Sequence, residues 1–382
     1  MEPIKGDKKM NQHPQKPFQF LFKPTYACNL ACKYCYAQRL RDEERRIISD
    51  EEVHALFNWA LKYSMENGIN KAEIVWHGGE PLLPGADFMR RTLEWYTELF
   101  SRHGIRCLNR IQTNLLLINQ DYIELIKKYF GGQIGFSFDF CSSDRCYSNG
   151  KNAEDDIWEK ALWARDQGVK IGAICQISSG NASRISEMYA KFKNAKIPFN
   201  ISRICDVNQT TGLYHNSFTD DEYVSAVCEL FDLWYYDSDQ QIEIGTFKEY
   251  ISMLLCNNST CCCFRRECNL LVFGPHGDIY PCDKFGEDTQ KLGNYFTDEP
   301  AKIKESRLEF SKNIITRDPL ASECSKCDFF KMCHGGCLFD RQTGWRKHEC
   351  YTNRKIWAHI AKAIENDGAK LGSMAEQDSY GN

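Results

Sequence analysis

The chain has 382 residues, of which 42% are hydrophobic and 26% charged, with a formal net charge of −4; this is a composition suited to a large globular core with a smaller second unit. The small net charge and the lack of a long basic run argue against nucleic acid or an anionic membrane as partner. The polar segment Met1 to Pro17 lacks the apolar core of a signal peptide, and no later stretch is long and apolar enough to span a bilayer, so a cytoplasmic location is expected.

The first expected strand is Phe18 to Lys23, with alternate residues apolar. A helix should begin near Asp50, because Val53, Leu56, Phe57, Ala60 and Leu61 follow the i, i+3, i+4 rule and Gly68 suits the position after its end. Ala72 to His77 reads as a strand feeding a Gly-Gly loop, followed by a helix over Phe88 to Arg102 and a strand over Arg110 to Thr113. Further helices are expected at Tyr122 to Phe130, Asp156 to Gln167 and Ile185 to Phe192. The strands between and after them are Ile134 to Phe138, Lys170 to Ile177 and Phe199 to Ile204. Strands alternating with amphipathic helices predict parallel βαβ units. Six such units are too few for a closed eight-stranded barrel, so the expected fold is α/β, an open partial (β/α)6 barrel. Its chemistry should sit at the C-terminal strand ends.

Beyond Ile204 a bridging helix is predicted from Asp220 to Tyr236, and then a cysteine-rich region of short strands and turns that would be organised by metal more than by an apolar core. The expected division is a polar extension over 1–17, the barrel over 18–205, a helical bridge over 206–260, the cysteine-rich domain over 261–360 and a mobile tail over 361–382.

Cysteine is the anomaly. There are 20, with eleven between Cys256 and Cys350 and three between Cys28 and Cys35. A reducing compartment disfavours disulfides, and clusters of this kind point to metal. Directly after the first strand comes Cys28-Asn-Leu-Ala-Cys32-Lys-Tyr-Cys35. Three thiolates at these spacings can ligate three irons of a cubane and leave the fourth iron open to a small molecule. A partial zinc site or free thiols are the plainer alternatives.

The CxxxCxxC motif, with Tyr34 before its last cysteine, resembles the cluster loop of radical S-adenosylmethionine (SAM) enzymes. Gly78-Gly79-Glu80-Pro81 resembles their Gly-Gly-Glu motif, in which the glycines would let the backbone approach a ligand and Glu80 would meet the methionine ammonium group. Gln112-Thr113-Asn114 and Ser137-Phe138-Asp139 also resemble family sequence, with Ser137 and Asp139 candidates for the ribose and a buried loop-capping Asp the alternative. Arg145 is a candidate for the methionine carboxylate, weighed against a plain solvated arginine.

The C-terminal cysteines resemble the SPASM domain, which carries two auxiliary 4Fe–4S clusters. The resemblance implies Cys262, Cys268, Cys282 and Cys337 as one ligand set, with Cys261 competing with Cys262, and Cys324, Cys327, Cys333 and Cys350 as the other. Gly277 sits where that family has a turn glycine. Within the group the likeness is greatest to anaerobic sulfatase-maturing enzymes, over roughly Phe18 to Trp357. It implies SAM and three 4Fe–4S clusters as cofactors, a peptide or protein substrate, and a flavodoxin- or ferredoxin-type electron donor. It also implies a radical oxidation of Cys or Ser to formylglycine, with Asp283 as general base and the auxiliary clusters accepting the remaining electron. A cluster-adjacent Asp can instead serve as a hydrogen-bond acceptor. Thioether or carbon–carbon crosslinking of a ribosomal peptide is the alternative activity, and an electron carrier or zinc-binding module the non-enzymatic one. Two departures stand out: Phe140 to Cys146 replaces the family's Asp-Gly-Pro continuation, and His77 stands where Gln is commoner.

Overall fold

The structure, a computed structural model, describes residues 17–37, 40–41, 45–204, 219–239, 242–256, 268–285, 290–318, 321–343 and 345–367. Its centre is a nine-stranded sheet. The six expected parallel strands are present as β1 (Phe18–Phe22), β2 (Lys71–Trp76), β3 (Arg106–Thr113), β4 (Gln133–Ser137), β5 (Lys170–Ile177) and β6 (Phe199–Arg203). They lie side by side in chain order. Between them run α1 (Asp50–Glu66), α2 (Ala86–Arg102), α3 (Gln120–Tyr129), α4 (Glu154–Asp166) and α5 (Ile185–Ala195).

Local chemistry sets the helix ends. α1 opens on a capping box in which Ser49 Oγ accepts from Glu52 N–H and the Glu52 carboxylate accepts from Ser49 N–H. It closes just before Gly68, whose φ of +63° suits a residue without Cβ. The strand β3 begins at Arg106, earlier than the expected Arg110. The buried Asn109 interrupts the apolar alternation in the sequence, yet Tyr96 donates to its side chain (2.7 Å) and it donates to Tyr129 O (3.0 Å).

The sheet does not stop at β1. A seventh parallel strand, β7 (Leu270–Phe273), pairs with the free edge of β1. It is followed by antiparallel β8 (Asp278–Tyr280) and β9 (Gly293–Asn294). Gly277, at φ +90°, makes the β7–β8 turn.

The expectation that the C-terminal region consists of short strands and turns with little apolar core is corrected. α6 (Asp220–Tyr235) and α7 (Gly245–Cys256) are followed, beyond the β7–β9 meander, by α8 (Pro300–Thr316), α9 (Ala321–Cys324), α10 (Phe330–Cys333), α11 (Leu338–Thr343) and α12 (Arg346–Asn366). Leu271, Phe273, Ile279, Ile356, Trp357 and Ile360 join the main core. The α12 helix packs against α6 and α7, and its His348 and His359 meet Asp220 (2.9 Å) and Asp232 (2.7 Å) of α6. The misreading arose because charged residues in α12 obscure its apolar stripe Ile356, Trp357, Ile360, Ala363 and Ile364.

The two sheet faces differ. Phe20 and Phe22 of β1 pack with Phe57 and Tyr63 of α1 and Phe273 of β7. On the opposite face Leu21, Leu270, Val272 and Tyr280 form a smaller apolar cluster that Val75 and Cys282 adjoin. The side chains continuing that face beyond the strand ends build the candidate site. Among the described residues no helix is long and apolar enough to cross a membrane.

Candidate active site

The loop carrying Cys28, Cys32 and Cys35 leaves the C-terminal end of β1 and is braced from two sides. From β2, Gly79 N–H donates to Thr25 O (3.0 Å) and Glu80 N–H to Ala27 O (2.8 Å). A Cβ on Gly79 would lie 2.1 Å from Ala27 O, and one on Gly78 2.5 Å from Thr25 O. The close approach that demands these glycines is therefore to the cysteine loop's own backbone, not to a ligand as the sequence alone suggested. From the fourth strand, Asp144 O and Cys146 O accept from Lys33 N–H (2.8 Å) and Ala31 N–H (2.7 Å). The loop that departs from family sequence thus supports the cysteine loop.

The three thiols lie close enough to oppose one another's ionisation. Burial pushes Cys28 up to about 12, with Glu80, Cys32 and Cys35 adding to the shift. Burial likewise takes Cys32 to about 11, against the pull of Arg145, and raises Cys35. Leu30 N–H points at Cys28 Sγ (3.4 Å). A half-buried set of mutually repelling sulfurs with donors aimed at it is suited to a strongly cationic centre, and the donor set fits an iron–sulfur cluster.

Glu80 is buried beneath this loop. It accepts from Leu82 N–H (3.0 Å), Thr113 Oγ1 (2.5 Å) and Asn114 N–H (2.8 Å). Burial nonetheless raises its carboxyl to about 7, so a ligand cation beside it would find a carboxylate in need of charge. Asn114 donates to Asn29 Oδ1 (2.7 Å), joining β3 to the cysteine loop, and Gln112 donates to Ser137 Oγ (2.9 Å).

Arg145 is not the solvated arginine that the sequence favoured. It is buried, donates to Asp139 Oδ2 (3.1 Å) and points Nη1 at Cys32 Sγ (3.8 Å). Tyr34 donates to the same Asp139 oxygen, and Gln176 N–H donates to the other (3.2 Å). Asp139 therefore has both oxygens engaged within the protein, the arrangement of a loop-organising carboxylate.

Asp283 follows β8 and returns to the far end of β1. Lys23 forms an ion pair with it and the Tyr36 hydroxyl donates to it. Burial alone would raise its carboxyl, but the charge of Lys23, then His77, then the hydrogen bonds from Lys23 and Tyr36 hold it down at about 2. Lys23 also lies 5.4 Å from the Tyr36 ring centre and 5.7 Å from that of Tyr26. Tyr36 is the residue after Cys35, so Asp283 is tethered directly to the cysteine loop.

The C-terminal cysteines fall into two places. Cys324, Cys327, Cys333 and Cys350 line a cavity of about 220 Å³, with Cys337 on its wall. Burial raises Cys324, and takes Cys333 to about 11, with the neighbouring Cys327 and Cys350 adding to both shifts. Cys282 and Cys337 share an apolar surround with Phe285 and Phe339. Cys268 lies just before β7, its carbonyl accepting from Arg307 (2.6 Å). Cys261 and Cys262 lie outside the described residues.

Residues 22–180 match the model of the radical SAM superfamily. The similarity to known proteins runs beyond that segment. The cysteine-type anaerobic sulfatase-maturating enzyme of Clostridium perfringens (strain 13 / Type A) is 26% identical over 340 residues, 84% of this chain and 89% of that protein. The serine-type anaerobic sulfatase-maturating enzyme of Bacteroides thetaiotaomicron is 24% identical over 85% of this chain and 84% of that one. The chain thus carries a radical SAM segment and is sulfatase-maturase-like beyond it. The fold agrees. Native anSMEcpe with bound AdoMet and Cp18Cys peptide superposes with a TM-score of 0.78 at 22% identity, covering 93% of this chain and 100% of that one.

Within this radical SAM fold, sequence reasoning missed Lys23, Tyr36 and the two arginines Arg341 and Arg346 near the C-terminal cysteines. Phe22-Lys-Pro was visible as a family-like string, but its Lys has no spacing relation to Asp283 that would reveal the pair. His77, noted only as a departure, proves to lie within electrostatic reach of both Asp283 and Lys23, and burial lowers its imidazole.

Proposed function

We propose that this chain oxidises the β-carbon of a Cys or Ser side chain in a protein substrate to the aldehyde of formylglycine. The observation that carries the reading is the placement of Asp283, tied through Tyr36 to the loop of Cys28, Cys32 and Cys35. The likeness to both cysteine-type and serine-type maturases, over 84% and 85% of the chain, supports it.

In this reading Cys28, Cys32 and Cys35 hold one 4Fe–4S cluster. Cys262 or its competitor Cys261, with Cys268, Cys282 and Cys337, holds a second. Cys324, Cys327, Cys333 and Cys350 hold a third. When bound, the first cluster and SAM supply a hydrogen-abstracting 5′-deoxyadenosyl radical. The chain does the rest. Glu80 offers its carboxylate to the methionine ammonium group, while Gly78, Gly79 and Asn114 fix the loop that carries the thiolates. Ser137 and Gln112 present a hydrogen-bonded pair toward the ribose. Tyr34, Asp139 and Arg145 form a buried brace, with Arg145 the remaining candidate for the methionine carboxylate. Asp283 receives the proton lost from the substrate heteroatom. Lys23 keeps that carboxylate ionised, and so able to accept, until the substrate is bound. A flavodoxin- or ferredoxin-type protein is the proposed reductant.

The test is a peptide carrying Cys or Ser in the context Cys/Ser-x-Pro-x-Arg, incubated anaerobically with reconstituted protein, SAM and reductant. A serine peptide should lose two hydrogens, a cysteine peptide should exchange its thiol for a carbonyl oxygen, and both should react with an aldehyde probe. An unmodified peptide, together with loss of two hydrogens and no probe reaction in a peptide encoded beside this gene, would replace formylglycine formation with peptide crosslinking.

A further inference from the structure

The cavity of Cys324, Cys327, Cys333 and Cys350 has a charged wall that the proposed chemistry does not use. Asp318 is buried and forms an ion pair with Arg346, while Arg341 Nη1 stands 3.6 Å from the same carboxylate oxygen. Both arginines are buried as well. Arg346 turns its other nitrogen, Nη2, to Cys324 Sγ at 2.5 Å. Arg341 donates to His334 O (2.7 Å) and Gly335 O (3.0 Å) in the turn between Cys333 and Cys337. Two guanidinium groups thus share one carboxylate, and one of them reaches a sulfur. The other charged cavity residues nearby also have partners: Arg203 meets Asp220 (2.7 Å), which His348 shares, and Lys284 lies 3.8 Å from Asp340. Glu349 accepts from Trp345 Nε1 (3.0 Å), and Glu323 and Arg354 complete the charged lining.

The loop of Cys28, Cys32 and Cys35 is different. Arg145 lies near Cys32 but is matched by Asp139, so that pair adds no net charge. A donor hydrogen bond to a cluster sulfur and a nearby uncompensated cation both favour the more negative, reduced form of an iron–sulfur centre. On one-electron reduction the cluster gains one negative charge and no proton, and low-dielectric surroundings strengthen its attraction to Arg346.

We propose that Arg346, with Arg341, raises the reduction potential of the cluster held by Cys324, Cys327, Cys333 and Cys350. The proposal rests on the reading of those four cysteines as cluster ligands. Arg346 acts through the cluster sulfur and is a positioning and tuning residue, not a catalytic one.

The experiment is a mediated redox titration of the full-length, anaerobically reconstituted protein, followed by electron paramagnetic resonance and accompanied by iron analysis. Arg346→Met should lower one cluster's midpoint potential and leave the others unmoved, whereas Arg346→Lys should lower it less. Asp318→Asn should shift the same midpoint upward, because it removes the carboxylate and leaves both cations. A merely structural contact would not produce shifts of opposite sign. Unchanged midpoints in both Arg346→Met and Asp318→Asn, at full iron content, would overturn the proposal. If Arg346→Met loses iron, the direction of the Asp318→Asn shift decides: upward supports the tuning role, and no shift or a downward one rejects it. Cys324→Ala/Cys327→Ala protein that keeps all its iron would reject the ligand reading itself, and the proposal with it.

Discussion

Lys23, the residue after β1, forms an ion pair with Asp283, the residue after Cys282, and so joins the first strand of the barrel to the loop beyond β8. Lys23 is 4% exposed and Asp283 19%, so each group depends on the other for charge compensation. The pair also explains why a carboxylate next to a proposed cluster ligand stays ionised. Its partner is built into the strand end rather than borrowed from substrate.

If Asp283 is the proton acceptor, Asp283→Asn should continue to release 5′-deoxyadenosine while product formation drops about 10²–10⁴-fold. Chromatography of 5′-deoxyadenosine beside mass spectrometry of the peptide separates the two. Equal loss of both, with iron content intact, would count against the base role. Iron loss would point to Asp283 as a support for Cys282.

Removing Lys23 strands a carboxylate. Lys23→Met should cost about 3 kcal/mol, near the low end for breaking a buried pair because Asp283 keeps some water contact. The double change Lys23→Met/Asp283→Leu should recover much of that loss. Denaturant unfolding of the two variants checks it, and a double variant no more stable than Lys23→Met would show that the pair is not the source of the cost.

The glycines of the β2 loop make a steric prediction. An alanine at Gly79 would bring its Cβ to 2.1 Å from Ala27 O and 2.2 Å from Tyr26 O. Backbone, not a flexible side chain, must then move. Gly79→Ala should cost about 3 kcal/mol and reduce the iron bound by the Cys28 loop. Gly68→Ala, at φ +63° with nothing near its Cβ, should cost only about 1 kcal/mol and leave iron unchanged. Thermal unfolding and iron assay together test the contrast.

Metal content separates the three proposed cluster sites. Reconstituted protein should hold about twelve irons, from three cubanes of four. Replacing Cys28, Cys32 and Cys35 with Ala should remove about four and abolish SAM cleavage. A colourless, zinc-rich preparation would contradict the iron reading.

Much of this protein was legible from local sequence. The alternation of apolar residues in Phe18–Phe22 and Lys170–Ile177, and the helical spacing of Val53, Leu56, Phe57 and Ala60, express backbone geometry that each segment carries by itself. They predicted the six parallel strands. The Cys28-x3-Cys32-x2-Cys35 spacing and Gly78-Gly79-Glu80 pointed to the radical SAM superfamily for the same reason: ligand spacing and close backbone approach are written in short runs. β7 was not legible, because Leu270-Leu-Val-Phe273 is a continuous apolar run with no period to show which edge it would join. The α12 stripe was diluted by its charged face.

What only the tertiary structure decided is which distant groups share a charge. Arg145 read as a solvated side chain until folding buried it against Asp139. Asp318, Arg341 and Arg346 gave no signal in a sequence otherwise dominated by its cysteines. Lys23 and Asp283 are far apart along the chain, and no spacing rule connects them. Periodicity and ligand spacing are local properties, and a single sequence displays them. The partner of a buried charge is set by how strands and helices dock, since burial makes the pairing necessary and docking alone supplies the partner.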